Sequence, residues 1–124
     1  MGAPPPFLAS LQALWEAPLD EVAATLLAAV AGPMLDADPY PTISEALFDQ
    51  AVINALPETR DRGFIAVGPE FGMARQVVRE ALALLEVNLL VYRFDTTSDA
   101  VRLTRRGHTA IRSGDVRMHF KTVR

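Results

Sequence analysis

Apolar residues recur at helical spacing from the start of the chain. Phe7, Leu8, Leu11, Leu14 and Trp15 form one stripe, which Pro18 ends. A second helix is predicted from Asp20 and Glu21, acids that suit a helix N-terminus, through Val22, Leu26, Leu27 and Val30 to the stop at Gly32-Pro33. Pro33, Pro39 and Pro41 then mark a loop. Thr42-Ile43-Ser44-Glu45 has the spacing of a capping box, with Thr42 as N-cap and Glu45 at the third helical position. The helix it opens carries Leu47, Phe48, Ala51, Val52, Ala55 and Leu56 and stops at Pro57.

Residues 58–63 read as a charged loop, and residues 64–71 as either a strand or a short, poor helix interrupted by Gly68-Pro69. From 74 to 87 the period is again helical. Val78, Ala81, Leu82 and Leu85 make its buried stripe, while Arg75, Arg79 and Glu86 share the opposite face. Residues 89–94 and 100–103 read as two strands joined by the turn 95–99. A helix from Thr104 to about Ser113 is stopped by Gly114. Residues 116–121 alternate apolar and basic, as in a half-exposed edge strand or a tail that orders on a partner.

The order helix, short element, helix, hairpin, helix is that of a winged helix-turn-helix. The expected fold is mainly α with a small β-hairpin wing and extra N-terminal helices. Residues 1–42 are expected to serve packing or dimerisation, 43–113 to form the winged core, and 114–124 to form a C-terminal strand or tail. In such a core the exposed face of the second motif helix lies in a major groove, which accepts an element of that width.

The residues also resemble a family. Val78-Arg79-Glu80-Ala81-Leu82, Leu85-Glu86 and Leu90-Val91 are similar to the recognition helix and following strand of GntR-type winged-helix repressors. Upstream, residues 67–75 keep the spacing of their helix-turn-helix, with Gly72 at the turn position. Val91-Tyr92-Arg93 and Val101-Arg102-Leu103-Thr104-Arg105-Arg106-Gly107 resemble the wing and post-wing helix of MarR-type regulators. The resemblance covers roughly residues 44–113. It implies a winged-helix transcription regulator in which Arg75 and Arg79 occupy positions that meet DNA. The chain departs from the pattern at four places. Gly68-Pro69 sits where the first motif helix should run, and proline there removes a hydrogen bond. Leu89 replaces the glycine that usually ends the recognition helix, and Ala74 replaces a hydroxyl cap. The wing tip Thr96-Thr97-Ser98 lacks an arginine and is flanked by Asp95 and Asp99.

Charge sharpens where a partner could touch. The 124 residues carry 12 basic and 15 acidic side chains, a net -3. Residues 1–56 hold seven of the acids and no Lys or Arg, −7; residues 57–124 hold all 12 bases against eight acids, +4. A phosphate-binding surface therefore belongs to the second half. The candidate DNA contacts are Arg75, Gln76 and Arg79, with Gln76 able to pair with adenine if it meets a base edge. The same residues equally suit a solvated helix face. Arg93 and Arg102 would reach phosphate if they face outward on the side of Arg75, or would be neutralised by Asp95 and Asp99. Arg60 and Arg62 adjoin Glu58 and Asp61 and read as loop solvation. Arg105 and Arg106 stand at a helix N-terminus, where positive charge is unfavourable; such a placement calls for phosphate, an acidic partner surface, or solvent exposure.

Catalysis finds little support. No cysteine is present, His108 and His119 are the only histidines, and no metal-binding, P-loop or nucleophile-elbow motif occurs. No cofactor or metal is expected, and no enzyme. No signal-peptide pattern or membrane span is expected either, so the chain reads as a cytoplasmic protein. Half its residues are hydrophobic, sufficient for one domain with its own core. Three functions stay open. The first is a DNA-binding, homodimeric transcription regulator on double-stranded DNA. The second is a winged-helix adaptor that docks a protein partner and leaves DNA alone. The third is a sensor with a small-ligand pocket between the N-terminal helices and the winged core.

Overall fold

Ser10 keeps the N-terminal apolar stripe from forming one helix. In the computed structural model, which describes residues 5–60, 68–93 and 99–121, Pro6–Leu8 make a 3-10 turn and α1 (Leu11–Glu16) begins anew after Ser10. The Ser10 Oγ accepts a hydrogen bond from the Ala13 N–H at 3.0 Å, the capping that leaves one fewer open donor in the first turn. The Leu11 N–H donates to both carboxylate oxygens of Glu58, at 3.0 and 3.1 Å, although Glu58 lies 47 residues away. Glu58, expected in a charged loop, is thus a remote helix cap.

Helix α2 (Leu19–Ala31) starts where the acids Asp20 and Glu21 predict and buries Val22, Ala23, Leu26 and Leu27. The capping box shifts by two residues from its expected place. Thr42 lies in a short strand, β1 (Thr42–Ser44), and the cap of α3 (Glu45–Ile53) is Ser44, whose Oγ accepts from Ala46 N–H at 3.2 Å. Three residues are too few to show a period of two, so the strand was hidden behind an equally good capping pattern. Helix α3 ends at Ile53 rather than Leu56. Residues expected as loop instead form α4 (Pro57–Arg60), where buried Thr59 donates its hydroxyl to Ile53 O at 2.8 Å.

Helix α5 (Pro69–Val87) is five residues longer at its start than its apolar period implies. Pro69 does not break a helix; it opens this one, at a position where its missing N–H costs nothing. Gly68 before it adopts φ 106°, a conformation open to glycine. The reading of residues 64–67 as strand or helix falls outside the described residues, as does the wing tip at 95–98. At the other end of α5, Leu89 takes φ 60°. Leu90 N–H donates to Leu85 O and Leu89 N–H to Glu86 O, the paired bonds of a Schellman cap, closed here by leucine in glycine's usual place.

Strands β2 (Val91–Tyr92) and β3 (Ala100–Leu103) pair antiparallel, with Tyr92 opposite Arg102. β1 joins the other edge of β3, with Thr42 opposite Arg102, so the strand order is β1-β3-β2. Ile43, Val91, Val101 and Leu103 turn inward, while Thr42, Ser44, Tyr92 and Arg102 face solvent. The inward set joins one core with Phe7, Leu11 and Leu14, with the apolar face of α2, and with Ala74, Val78, Ala81, Leu82 and Leu85 of α5. The chain is therefore mainly helical with a small three-stranded antiparallel sheet. The N-terminal helices pack into the same core as the rest.

Helix α6 (Arg105–Ser113) is capped by Thr104, whose Oγ1 accepts from Gly107 N–H at 2.9 Å, and Gly114 ends it at φ 82°. Residues 116–119 form a 3-10 turn, not the edge strand their alternation suggests. Arg117 of that turn reaches across to Asp20 of α2 at 2.8 Å, and Val116 is buried, so the apolar–basic alternation serves a turn with one inward residue.

Candidate nucleic-acid interface

The five arginine and glutamine candidates fall on two separate faces. Arg75, Gln76 and Arg79 share the side of α5 that looks toward α3 and solvent. With Gly72 and Ala83, Gln76 and Arg79 lie at positions 72, 76, 79 and 83, all exposed and on one helical face. That stripe is narrow, because Gly72 has no side chain and Ala83 only a methyl.

Each member of the group has an acidic neighbour in its own chain. Gln76 Nε2 donates to Glu80 Oε2 at 2.8 Å, one turn on. Arg79, 66% exposed, places Nε 4.0 Å from Glu45 Oε1 of α3. Arg75 is partly buried, and its Nε is shielded from solvent without a hydrogen-bond partner. One turn along α3 from Glu45, the Oδ1 of Asp49 is likewise buried and unpartnered. Burial pushes the Asp49 carboxyl above its ordinary value, and the neighbouring Glu45 adds to this; the positive charges of Arg75 and Arg79 pull it back only in part. Glu45 and Asp49 at i and i+4 on α3 thus confront Arg79 and Arg75 at i+4 and i on α5.

Arg93 follows β2 and lies half-buried beside α5, with Nε 3.4 Å from Glu86 Oε1. Arg102 is elsewhere. It projects from the outer face of the sheet, away from α5, and its Nε donates to the backbone oxygen of Tyr40 at 3.2 Å. The structure therefore brings Arg75, Gln76 and Arg79 together, sets Arg93 at the far end of the same helix, and separates Arg102 from all four.

Sequence reasoning missed what surrounds Arg102. Tyr40, Tyr92, Arg102, Leu103, Thr104 and Arg105 line an open groove of about 410 Å³ on the outer sheet face. It runs into a second stretch of about 610 Å³ that shares Tyr92, Thr104 and Arg105 and adds Leu89, Arg106 and His119. The Tyr40 ring also rests on His108, with centroids 5.6 Å apart and planes tilted by 52°. The signal available in sequence was the pair Arg105-Arg106 at a helix start. Arg106 has a structural reason to be there: its Nε donates to Asn88 O at 3.0 Å and its Nη2 to His119 O. Arg105 is exposed and makes no hydrogen bond or ion pair with the described residues.

Among the described residues no group of three or more His, Asp or Glu side chains is placed to hold a metal ion, and no helix is long and apolar enough to cross a membrane. Among known proteins, no family model matches the chain, and no curated sequence or solved structure matches it either.

Proposed function

We propose that the chain is a winged helix-turn-helix and that it binds double-stranded DNA through the exposed stripe of α5, as a dimeric transcription regulator of the cytoplasm. The observation that carries this reading is topological. A helix, an edge strand, a second helix, the short α4, the long helix α5 and a two-stranded hairpin occur in the order α2-β1-α3-α4-α5-β2-β3, with the sheet ordered β1-β3-β2. That arrangement buries one side of α5 and leaves the stripe of Gly72, Gln76, Arg79 and Ala83 to enter a groove wide enough for a helix. Small residues at both ends of the stripe favour close approach.

The grip on phosphate is modest, since Glu45 and Glu80 compete for Arg79 and Gln76. Binding of a duplex at low salt, lost on Arg79→Ala, tests the reading. Failure of any duplex to bind at low salt overturns it. Dimerisation would use surface that the chain's own core leaves open. α1 buries Leu11 and Leu14 but leaves Trp15 49% exposed.

A second reading, the protein-docking adaptor, is favoured by one observation: every cation facing out from α5 or its end has a carboxylate of the same chain beside it. Stoichiometric co-purification of a protein with the full chain, with duplex DNA unbound, selects that reading.

A further inference from the structure

The outer face of the sheet differs from α5, where each cation has a carboxylate beside it. Arg102 and Arg105 flank the groove and Arg106 borders its continuation, and among the described residues no carboxylate lines either stretch. Asp38, the acid two residues before Tyr40, has its Oδ1 engaged by the Tyr40 N–H at 2.9 Å. Two large rings stand in this basic setting, Tyr40 38% and Tyr92 42% exposed.

Leu89 carries a cost at the same place. It lines the continuing stretch, is 65% exposed, and holds the left-handed backbone conformation that a side chain disfavours. An exposed apolar side chain on a strained backbone stabilises nothing in the isolated fold, so its use is sought in what covers it.

Cations spaced between exposed rings, in a groove that no described acid lines, are the pattern that takes a flexible polyanion with flat faces. Arginines track phosphates, and aromatic rings stack bases. An acidic peptide would satisfy the arginines but has no need of two rings. A duplex would meet the arginines but keeps its bases stacked away from tyrosine. We propose that this groove binds single-stranded nucleic acid, with bases stacked on Tyr92 and Tyr40 and phosphates held by Arg102 and Arg105. The site lies on the opposite side of the sheet from α5, so it goes beyond the duplex reading and stands or falls separately from it.

The test is fluorescence anisotropy of a labelled oligothymidylate of about twelve nucleotides, a length typical of single-strand sites, titrated with the full chain at low salt. Wild-type protein is expected to bind. Tyr92→Ala is expected to weaken binding about fivefold or more, the loss of one stacked base, while Tyr92→Phe keeps it. Arg105→Ala is expected to weaken binding and to lower the slope of log K against log salt by roughly 0.7, the value for one phosphate on a single strand. Arg79→Ala is expected to leave it unchanged while abolishing any duplex binding. Thermal unfolding confirms that each variant is folded; should Tyr92→Ala unfold, Tyr40→Ala carries the stacking test. Failure of the wild type to bind the oligonucleotide overturns the proposal. So does polyglutamate competing as well as the oligonucleotide while Tyr92→Ala binds normally, the result expected of an acidic-peptide site. Loss of oligonucleotide binding in Arg79→Ala would place the strand on α5 and overturn it as well.

Discussion

A Cβ added to Gly107 would come within 2.1 Å of the Leu90 carbonyl oxygen and 2.6 Å of Leu103 Cδ1. Helix α6 therefore lies directly against the turn that leaves α5 and against the central strand. Backbone cannot yield as a side-chain tip can. Gly107→Ala is expected to destabilise the fold by roughly 3 kcal/mol, read as a lowered urea midpoint with unchanged slope. A midpoint equal to wild type would mean that α6 is free to move off the sheet.

Leu89 offers the converse case. Its left-handed conformation costs an L-residue on the order of 1 kcal/mol, and glycine adopts it freely. Because the side chain is mostly in solvent, little packing is lost on its removal. Leu89→Gly is expected to stabilise the chain by about 1 kcal/mol. It should also weaken binding of a partner that uses the apolar wall at 89, so stability and binding would move in opposite directions.

Asp49 supplies a pH dependence with a definite sign. Its carboxyl is raised in the folded chain chiefly by burial, so the folded state holds a proton that the unfolded state has released. Stability from this group is present at low pH and falls as pH climbs from the ordinary aspartate range through the raised value. Asp49→Asn mimics the protonated form. It is expected to match wild type in acid and to exceed it in melting temperature at neutral pH. A gap that stays constant across that window, or that favours wild type at neutral pH, would show that the attraction to Arg75 and Arg79 outweighs burial.

Glu45 competes with phosphate for Arg79 on α5. Glu45→Gln removes the competing charge 4.0 Å from Arg79 Nε and is expected to tighten duplex binding severalfold at low salt, with the gain fading as salt rises. A duplex affinity indifferent to this change would remove Arg79 from the interface.

The long-period features were legible in sequence. The apolar stripes of α2 and α5 and the returning strand β3 appear where the spacing of Val22, Leu26 and Val78, Leu82, Leu85 and the Val101-Leu103 alternation place them, whereas the strand expected over 89–94 is only Val91–Tyr92 among the described residues, because Leu89 closes α5. What escaped was set by distant partners. Strand β1 is three residues long and exists because Ile43 meets Val101 across the sheet, so Thr42 and Ser44 had equal claim to be the cap. Glu58 reads as a loop charge until Leu11 is seen above it. The site candidates on α5 were found from their helical spacing, but their acidic neighbours on α3 come from another element. The groove joins Tyr40, Tyr92 and Arg105, which no local window contains.

Asn88 gathers three segments at one corner. Its Nδ2 donates to Leu84 O at 3.0 Å, its own carbonyl oxygen accepts from Arg106, and its Oδ1 accepts from Lys121 N–H at 2.7 Å. The last turn of α5, the start of α6 and the chain beyond the 3-10 turn thus share a single polar knot, with Leu89 next to it at the groove wall. A single residue ties together what the sequence keeps 33 residues apart, and removing its side chain would release the end of α5 and Lys121 at once, leaving only its backbone to hold Arg106.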